Sequence, residues 1–324
     1  MIYPYKIGFT CAYGLYVYKL VKLLRKKMPN RYFFGFDAKI IYACQKKSSF
    51  NKLIKVPLPQ KYNYIDILLK RLQLFDKSIL IFGSDEEALK AAKHINLLKK
   101  TGNKFNLMSY DAIKLFSNKL ILYNLVKSVG ETGFIKPFRK VKSIFEVENF
   151  SRDLGKSKNI ILKPSIGRGS RDVYVINIRN EHIETDDDRI KLISRRQLDE
   201  DIFLNNEFVA MEYIEGKSIT IDVLADHGSI ILIIPRLWIR GKKSGPVVQE
   251  YFYSEKIVRL VEVLNSIKKI HGLVDIDAKM DNKGNIFLLE FNTRPSGTVY
   301  GAELMGIPVF SFLENVLTGK KIKK

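Results

Sequence analysis

Two segments in the last quarter of the chain, 273–280 and 286–295, constrain the fold more than any other part of the sequence. Both alternate apolar and polar side chains, which is typical of strands with one buried face. A short turn around Gly284 separates them, so they are expected to pair as an antiparallel hairpin. A hairpin centred on this turn brings four oxygen-bearing side chains together in two cross-strand pairs, Asp277 with Glu290 and Asp275 with Asn292.

Alternation also places these four side chains on one face of the hairpin. Opposed carboxylates repel each other and weaken a sheet, whereas a divalent cation between them reverses the sign of the interaction. Oxygen ligands alone, with an amide beside carboxylates, suit Mg²⁺ that bridges phosphates. Arg294 follows on the same face, where it can pair with phosphate or carboxylate. A bulged turn is the alternative, because it would shift the register and leave only a solvated polar face.

A loop rich in small residues joins two predicted strands at 159–163 and 173–178. Its Gly167 and Gly169 lack side chains that would block a close backbone approach, so the N–H groups there can bind phosphate oxygens. Lys163, at the end of the first strand, adds a positive charge. The loop lacks the Gly-Lys-Ser/Thr sequence of a Walker loop. A plain hairpin turn is the alternative, but it does not explain the pair Lys163-Pro164.

The first hundred residues alternate short apolar strands, predicted at 5–9, 39–44 and 78–82, with helices that begin after Gly14 and near Ser84. This alternation predicts a parallel sheet. The first loop lacks the G-x-G-x-x-G spacing, so no dinucleotide is expected there. Helical patterns follow at 109–129 and 144–154. The chain from 208 to 291 is predicted to be rich in strands, with one helix near 254–270.

The chain of 324 residues carries a net charge of +21, which attracts anions without choosing among them. Its basic residues are scattered rather than grouped with aromatic side chains, so a nucleic-acid partner is not expected. No apolar run is long enough to span a membrane. Cys11 and Cys44 are too few for a disulfide framework, which favours a reducing, cytoplasmic compartment. The uncharged stretch 7–18 lacks a small-residue cleavage site and is expected to be mature structure.

Taken in order, the glycine-containing loop, the strands on either side of Glu212–Gly216 and the acidic hairpin resemble the ATP-grasp superfamily. The resemblance is strongest to the carbamoyl-phosphate-synthase-like ligases that include the pyrrolysine-biosynthesis ligases. It implies an α/β (α+β) fold with a Rossmann-like pre-ATP-grasp domain at 1–108 and an ATP-grasp domain at 109–324. The latter would consist of an N-terminal lid subdomain at 109–205 and a C-terminal subdomain at 206–324 that carries the metal site.

The same resemblance implies roles for individual residues. Those implied to bind ATP are two phosphate lysines, the lid loop and the hinge that recognises adenine: Lys119, Lys163, Gly167, Arg168, Gly169, Ser170, Glu212, Tyr213, Ile214 and Glu215. The implied metal ligands are Asp277, Glu290 and Asn292, and the implied catalytic arginines are Arg236 and Arg294. Many relatives carry an acid for the ribose after the hinge. This chain has Lys217-Ser218 there, so Glu215 or another group is expected to serve.

The implied activity is that of an ATP-dependent carbon–nitrogen ligase. A substrate carboxylate would attack the γ-phosphoryl group of ATP, and an amine would displace the resulting acyl phosphate to form an amide or peptide-like bond. The implied cofactors are ATP and two Mg²⁺ ions, for which Mn²⁺ can substitute. Phosphoryl transfer needs positioning and charge neutralisation more than a protein nucleophile, which agrees with the lysines and arginines. The expected partners are small carboxylates and amines, with a homodimer as a family-level expectation.

Two other functions stay open at this point: a carboxyphosphate-forming enzyme of the carbamoyl-phosphate type, and an ATP-binding protein without turnover. The segment 297–301 is expected to border the acceptor pocket together with Arg236, Trp238 and Arg240. The two arginines favour acidic substrates, including amino acids and sugar acids. His271 is expected to cap or pack at a helix end, and Cys11 to be a buried, inert thiol.

Overall fold

The computed structural model describes residues 4–39, 49–155, 158–167, 171–178, 183, 189–204, 207–242 and 245–322, with the backbone alone at 240–242 and 245–247. The strands in these ranges form three five-stranded sheets. Among the predicted site residues, Arg168, Gly169 and Ser170 lie outside the described ranges.

The first sheet is parallel throughout, as the alternation of strands and helices predicted, and its strand order is β3-β2-β1-β4-β5. Its strands are β1 (Lys6–Phe9), β2 (Phe33–Asp37), β3 (Lys52–Lys55), β4 (Ser78–Ile81) and β5 (Lys104–Asn106). The helices that connect them are α1 (Leu15–Lys27), α2 (Tyr64–Leu72), α3 (Asp85–Lys93) and α4 (Ile95–Lys99). The strand predicted at 39–44 lies outside the described residues except for Lys39, which follows β2 without being part of it.

The helical pattern at 109–129 corresponds to two helices rather than one, α5 (Tyr110–Phe116) and α6 (Lys119–Ser128). Asn118 divides them, because its side-chain oxygen accepts a hydrogen bond from the N–H of Ile121 at 3.1 Å and caps α6. Lys119 therefore occupies the first position of a new helix. Its backbone N–H donates to the carbonyl of Ser165 at 2.9 Å, which places it beside the end of the predicted phosphate strand.

The second sheet has the order β6-β10-β7-β8-β9 and contains the strand that carries Lys163. Its strands are β6 (Phe138–Val141), β7 (Ile160–Pro164), β8 (Tyr174–Asn177), β9 (Lys191–Ser194) and β10 (Phe208–Glu212), and helix α7 (Ile144–Leu154) packs on it. Short 3₁₀ turns occupy Thr132–Phe134, Arg195–Gln197 and Glu200–Phe203. Because β10 belongs to this sheet, the chain passes to the next sheet in the segment 212–216. The boundary at 205/206 stays a prediction.

The third sheet is antiparallel and has the order β13-β12-β11-β14-β15. Its strands are β11 (Gly216–Asp226), β12 (Ser229–Lys242), β13 (Gly245–Tyr251), β14 (Gly272–Asp281) and β15 (Ile286–Asn292). Helix α8 (Glu255–Ile267) precedes β14, and α9 (Tyr300–Leu304) and α10 (Val309–Thr318) follow β15. The predicted hairpin is therefore β14–β15.

The three sheets share buried contacts. One hydrophobic cluster contains side chains from all of them, and the stacked rings of Phe116 and Phe291, 4.1 Å apart, join α5 to β15. Asn106, at the end of β5, is hydrogen-bonded to both backbone groups of Leu273 in β14. In the described ranges, no helix combines the length and apolarity needed to cross a bilayer.

Candidate active site

The predicted cross-strand pairs are present on the face of β14 and β15. Asp277 pairs with Glu290 and Asp275 with Asn292. The amide Nδ2 of Asn292 donates to Oδ2 of Asp275 and to Oδ2 of Asp277, each at 3.1 Å. The bulge considered as an alternative also exists, but it lies after Asp277 and leaves the two pairs intact. The hairpin thus gathers three carboxylates and one amide on one face.

Burial and mutual repulsion raise the pKa values of two of these carboxyl groups. Burial, and then the charge of Glu290, raise the pKa of Asp277 to about 7. Burial, and then the charge of Asp277, raise the pKa of Asp275 well above its usual range. Within the described ranges, Oδ1 of Asp275 is buried without a hydrogen-bond partner. Such a set of crowded oxygen donors fits Mg²⁺, whose charge would relieve the repulsion.

Glu290 behaves differently because lysines face it. Nζ of Lys119 lies 2.9 Å from Oε2 of Glu290. Burial alone would raise the pKa of Glu290, but the charge and hydrogen bond of Lys119, with the charge of Lys163, outweigh it and hold this pKa at about 2. The carboxylate therefore stays ionised, as a metal ligand must.

The second predicted phosphate lysine is buried at the same place. Burial, and then the charge of Lys119, lower the pKa of Lys163 to about 7. Lys163 lies in β7 of the second sheet, whereas the carboxylates lie in the third, so the site forms where the two sheets meet. Nζ of Lys119 is 3.3 Å from the carbonyl oxygen of Gly167, at the start of the predicted lid loop. Two lysines from separate elements thus converge on the acidic face. Their positive charges would offset the repulsion between neighbouring phosphate groups bound there.

The segment between β10 and β11 forms another wall of the site. Tyr213 and Ile214 line the cavity, and the backbone N–H of Tyr213 donates to the carbonyl of Asn159 at 2.8 Å. The carboxylate of Glu212 lies 3.0 Å from Nζ of Lys158. Glu215 is exposed. Whether these four residues recognise adenine stays a prediction.

Arg294 joins the acidic face to the first sheet. Its Nε lies 3.3 Å from Oδ2 of Asp85, and its Nη1 lies 3.9 Å from Oδ2 of Asp275. Asp85, at the start of α3, also accepts hydrogen bonds from the N–H and the hydroxyl of Thr293, at 2.7 and 3.0 Å. The sequence predicts only that a helix begins near Ser84, beside Asp85. No local pattern could indicate this contact, because 208 residues separate Asp85 from Thr293.

Arg236 is fully buried instead of lining a pocket wall. Its guanidinium pairs with the equally buried Asp222 and donates to Ser296 Oγ and Thr298 Oγ1, each at 2.9 Å. The argument for an acidic substrate therefore loses one of its two arginines, because the charge of Arg236 is neutralised internally. The side chain of the other, Arg240, lies outside the described part of the structure.

One cavity of about 890 Å³ unites these features. One end contains Lys119, Lys163, Asp277 and Glu290. Another part of its lining, the apolar end, comes from the chain around the first sheet and from the segment after β15, where Ser84, Ser296 and Thr298 lie among a larger set of apolar side chains: Phe9, Tyr16, Val17, Leu20, Phe82, Val299 and Tyr300. A volume of this size is in the upper range for small-molecule sites, which typically measure about 300–1,000 Å³.

Cys11 also lines this cavity. Its thiol donates to the buried Glu87 at 3.3 Å, and burial, followed by the charge of Glu87, raises its pKa far above the usual range. It is therefore a poor nucleophile, as expected from the sequence. His271 lies just before β14 and is stacked on His227 with ring centroids 3.9 Å apart, so it packs on a hairpin turn and not at the helix end expected from the sequence, and it is not part of the lining of this cavity.

Comparisons with known proteins give a family match over part of the chain and a fold over all of it. Residues 205–323 match the family described as ATP-grasp in the biosynthetic pathway with Ter operon. No curated protein matches the chain. The narrower resemblance to the pyrrolysine-biosynthesis ligases stays a prediction.

Several solved structures share the fold. N5-carboxyaminoimidazole synthetase from Staphylococcus aureus, complexed with ADP, is 14% identical with a TM-score of 0.67, over 100% of this chain and 80% of that one. L-amino acid ligase from Bacillus licheniformis is 16% identical with a TM-score of 0.65, over 98% and 75%. Biotin carboxylase from Campylobacter jejuni, in a β-γ-ATP complex, is 15% identical with a TM-score of 0.69, over 98% and 72%.

Proposed function

We propose that the chain is an ATP- and Mg²⁺-dependent ligase of the ATP-grasp superfamily, a proposal supported by its fold and by the family match over residues 205–323. It joins a substrate carboxylate to an amine through an acyl phosphate. The observation that carries this proposal is the convergence of Lys119 and Lys163 with Asp277, Glu290 and Asn292 at one end of a single cavity.

Asp277, Glu290 and Asn292 would hold the metal, since they supply the oxygen donors that Mg²⁺ prefers. When bound there, Mg²⁺ would neutralise the negative charge of the phosphates. One ion or two, and Mn²⁺ in place of Mg²⁺, remain to be distinguished by titration of activity with each metal.

The chain's own residues position the reactants. Lys119 and Lys163 bind phosphate oxygens of ATP, while Tyr213 and Ile214 form the wall for its base. Arg294, held by Asp85 and Asp275, presents its guanidinium to the acyl phosphate at the cavity wall. Arg236 has an indirect role, because its hydrogen bonds to Ser296 and Thr298 hold the segment that lines the cavity next to the acceptor substrate. Lys119, Lys163 and Arg294 stabilise charge without forming a covalent bond to the substrate.

The apolar end of the cavity bears on the substrate class. Tyr16 packs so closely on Gly297 that a Cβ at 297 would lie 2.9 Å from its ring. Val17 and Leu20 extend this surface along α1. A charged group placed there would lose its hydration without a partner in the apolar wall. We therefore propose that the acceptor substrate carries an apolar group, which replaces the acidic substrate expected from the sequence.

The test is Mg²⁺-dependent release of ADP and phosphate in the presence of pooled carboxylates and amines. We expect stimulation by pools with apolar side chains and its loss in Glu290→Gln, whereas Glu262→Gln, on the exposed face of α8, keeps it. Stimulation by bicarbonate alone would instead identify a carboxyphosphate-forming enzyme. Tight ATP binding without stimulation by any pool would identify a binding protein and overturn the proposal.

The substrate class has its own control. Val17→Lys places a charge at the apolar end of the cavity, and Leu15→Lys places one on the exposed side of the same helix. We expect only Val17→Lys to raise KM for the apolar substrate, with ATP binding unchanged in both. Equal KM values in the two variants would contradict the assignment.

A further inference from the structure

Three side chains with metal-binding atoms meet at the hairpin turn between β11 and β12, outside the cavity. Asp226 ends β11, His227 lies in the turn, and His271 lies just before β14. Asp222 in β11 pairs with Asp275 of the acidic face. Asp226 is four residues farther along the strand, which corresponds to roughly 13 Å. The cluster is therefore distinct from the acidic face.

The ligand atoms are close to the separation that a metal ion requires. Oδ1 of Asp226 lies 3.4 Å from Nδ1 of His271 and 3.9 Å from Nε2 of His227. One ligand atom from each of the three residues lies within 4.8 Å of the others. Ligands about 2.1 Å from a tetrahedral Zn²⁺ are about 3.4 Å apart. To form the site, the side chains must rotate, and Nδ1 of His271 must give up the hydrogen bond that it accepts from the backbone N–H of His227 at 3.3 Å.

The imidazole rings are stacked at 10°, so their in-plane lone pairs do not yet converge on one point. The ring of His227 must turn for a metal to bind. Its side chain is 81% exposed, so rotation gives up the stacking on His271 but no buried contact. The ring of His271 is more enclosed, at 20% exposed, and supplies the fixed side of the site.

The backbone beneath the cluster is anchored on both sides. The N–H of Gly228 donates to the carbonyl of Ile270 at 2.7 Å. Asn265 joins the same two segments, because its Nδ2 donates to the carbonyl of Gly228 at 2.9 Å and its Oδ1 accepts from the N–H of Ile270 at 3.0 Å. His227 and Gly228 have φ values of 46° and 93°, the conformation of a tight two-residue turn. The two histidines are thus held side by side by main-chain contacts.

We propose that Asp226, His227 and His271 form a binding site for a divalent transition metal, with Zn²⁺ as the ion that fits best. Two imidazoles and one carboxylate are a donor set that Zn²⁺ uses with water as the fourth ligand. Mg²⁺ prefers oxygen ligands, so the two sites differ in metal selectivity. A metal here would tie the β11–β12 turn to the start of β14, next to the contact of Gly272 with Asn106.

The test is calorimetric titration of Zn²⁺ into the untagged, chelator-treated full chain in excess Mg²⁺, which keeps the acidic face occupied. We expect one equivalent to bind and to raise Tm. We expect roughly tenfold or weaker binding in His227→Ala and in Asp226→Asn. His94→Ala, at the end of α3, removes an unrelated histidine and is expected to bind as the parent chain does.

The exposed side chain of His227 fills no buried space, and far-UV circular dichroism of His227→Ala checks that the turn, with its positive φ at 227, keeps its fold. Zn²⁺ binding of unchanged affinity in His227→Ala, or no Zn²⁺ binding by the parent chain, would overturn the proposal. Both outcomes are independent of ligase activity.

Discussion

At the scale of single residues, the buried pair of Asp222 and Arg236 stabilises the wall of the cavity. Asp222 accepts hydrogen bonds from the N–H and the hydroxyl of Ser296, at 3.1 and 3.0 Å, in addition to its pairing with Arg236. The segment that follows Arg294 is therefore held by charged groups that never reach solvent. Such a pair is costly to break because one removed partner leaves the other charge buried.

This argument predicts the effect of Asp222→Ala. The variant leaves the guanidinium of Arg236 unpaired, so we expect a loss of about 3–5 kcal/mol in the free energy of unfolding, measured in urea. The double variant Asp222→Leu with Arg236→Met removes both charges and is expected to lose much less. Equal losses in the two variants would show that the pair is not the source of the stability.

The second prediction at the residue scale concerns Glu87 and the pH dependence of the free energy of unfolding. It accepts hydrogen bonds from Thr10, Cys11, Tyr64 and Ser84, yet burial outweighs them and raises its pKa. The folded state thus holds a proton that the unfolded chain has already lost. Stability should fall as pH rises from the ordinary carboxyl value, near 4.5, through the raised pKa of Glu87.

The measurement is the urea midpoint as a function of pH, from about pH 4 upward. We expect Glu87→Gln to flatten this slope, because the titrating group is gone. Glu86→Gln, on the exposed side of the same helix, should keep the slope of the parent chain. A slope unchanged by Glu87→Gln would contradict the raised pKa.

At this scale the sequence predicts side chains whose partners are close along the chain. The pairing of Asp277 with Glu290 follows from alternation and a short turn alone. Asp85, Glu87 and Asp222 were missed as parts of the site, since their partners lie in other elements, up to 208 residues away.

At the scale of elements, the β14–β15 hairpin has the predicted pairing at its acidic face, although its turn differs from the predicted one. Asp281 to Asn285 form a turn in which the Asp281 side chain accepts from two backbone N–H groups, and the strands leave it one residue out of the predicted register. The bulge between Asp277 and Ala278 restores that register before the acidic face. The predicted helix at 109–129 was wrong in its continuity for a comparable reason, because the Asn118 cap interrupts an otherwise helical pattern.

Strand β2 was missed for another reason. Its sequence, Phe33 to Asp37, contains Gly35 and does not alternate, because both faces are buried in the parallel sheet. A short apolar run of this kind cannot be distinguished from a buried helix by periodicity.

Gly216, at the start of β11, gives the prediction at this scale. Its φ is 141°, and a Cβ there would lie 2.0 Å from the carbonyl oxygen of Met280. Gly284, in the hairpin turn, has a φ of 74° but open space around it. We expect Gly284→Ala to cost about 1–2 kcal/mol from backbone strain alone. Gly216→Ala should cost about 1–3 kcal/mol more because of the collision with β14.

Urea unfolding of the two alanine variants separates strain from collision. Because Gly216 adjoins the segment 212–215, its variant is also expected to weaken ATP binding, whereas Gly284→Ala should not. Equal destabilisation of the two variants would contradict the close approach of β11 and β14.

At the scale of the whole molecule, Asn106 couples the first sheet to the third. Its Nδ2 donates to the carbonyl of Leu273 at 3.0 Å, and its Oδ1 accepts from the N–H of Leu273 at 2.7 Å. The chain around the first sheet also supplies Asp85 to Arg294 and an apolar wall to the cavity. The alternation pattern predicted the parallel sheet, but single-sequence patterns do not contain the contact that docks it.

Asn106→Ala tests this coupling. It leaves two buried backbone groups of Leu273 unpaired, each of which costs about 1–3 kcal/mol. We expect lower Tm and faster hydrogen exchange at the start of β14. Asn103→Ala removes comparable hydrogen bonds to Ser78 within the first sheet, so exchange should rise there and not in β14. Unchanged exchange in β14 of Asn106→Ala would exclude the coupling.

The most direct test of the central claim is calorimetric titration of ATP, with and without Mg²⁺. We predict one site that Mg²⁺ strengthens. Lys163→Met should weaken binding roughly tenfold or more in both conditions, because a charge-assisted contact to phosphate is lost. Lys99→Met, at the end of α4, serves as its control.

Glu290→Gln separates the metal site from the phosphate site. Removing this carboxylate should weaken ATP binding when Mg²⁺ is present, but not when Mg²⁺ is absent, because without the metal the carboxylate only repels phosphate. ATP binding that requires Mg²⁺ yet is the same in the parent chain, Lys163→Met and Glu290→Gln, or no ATP binding at all, would contradict the account.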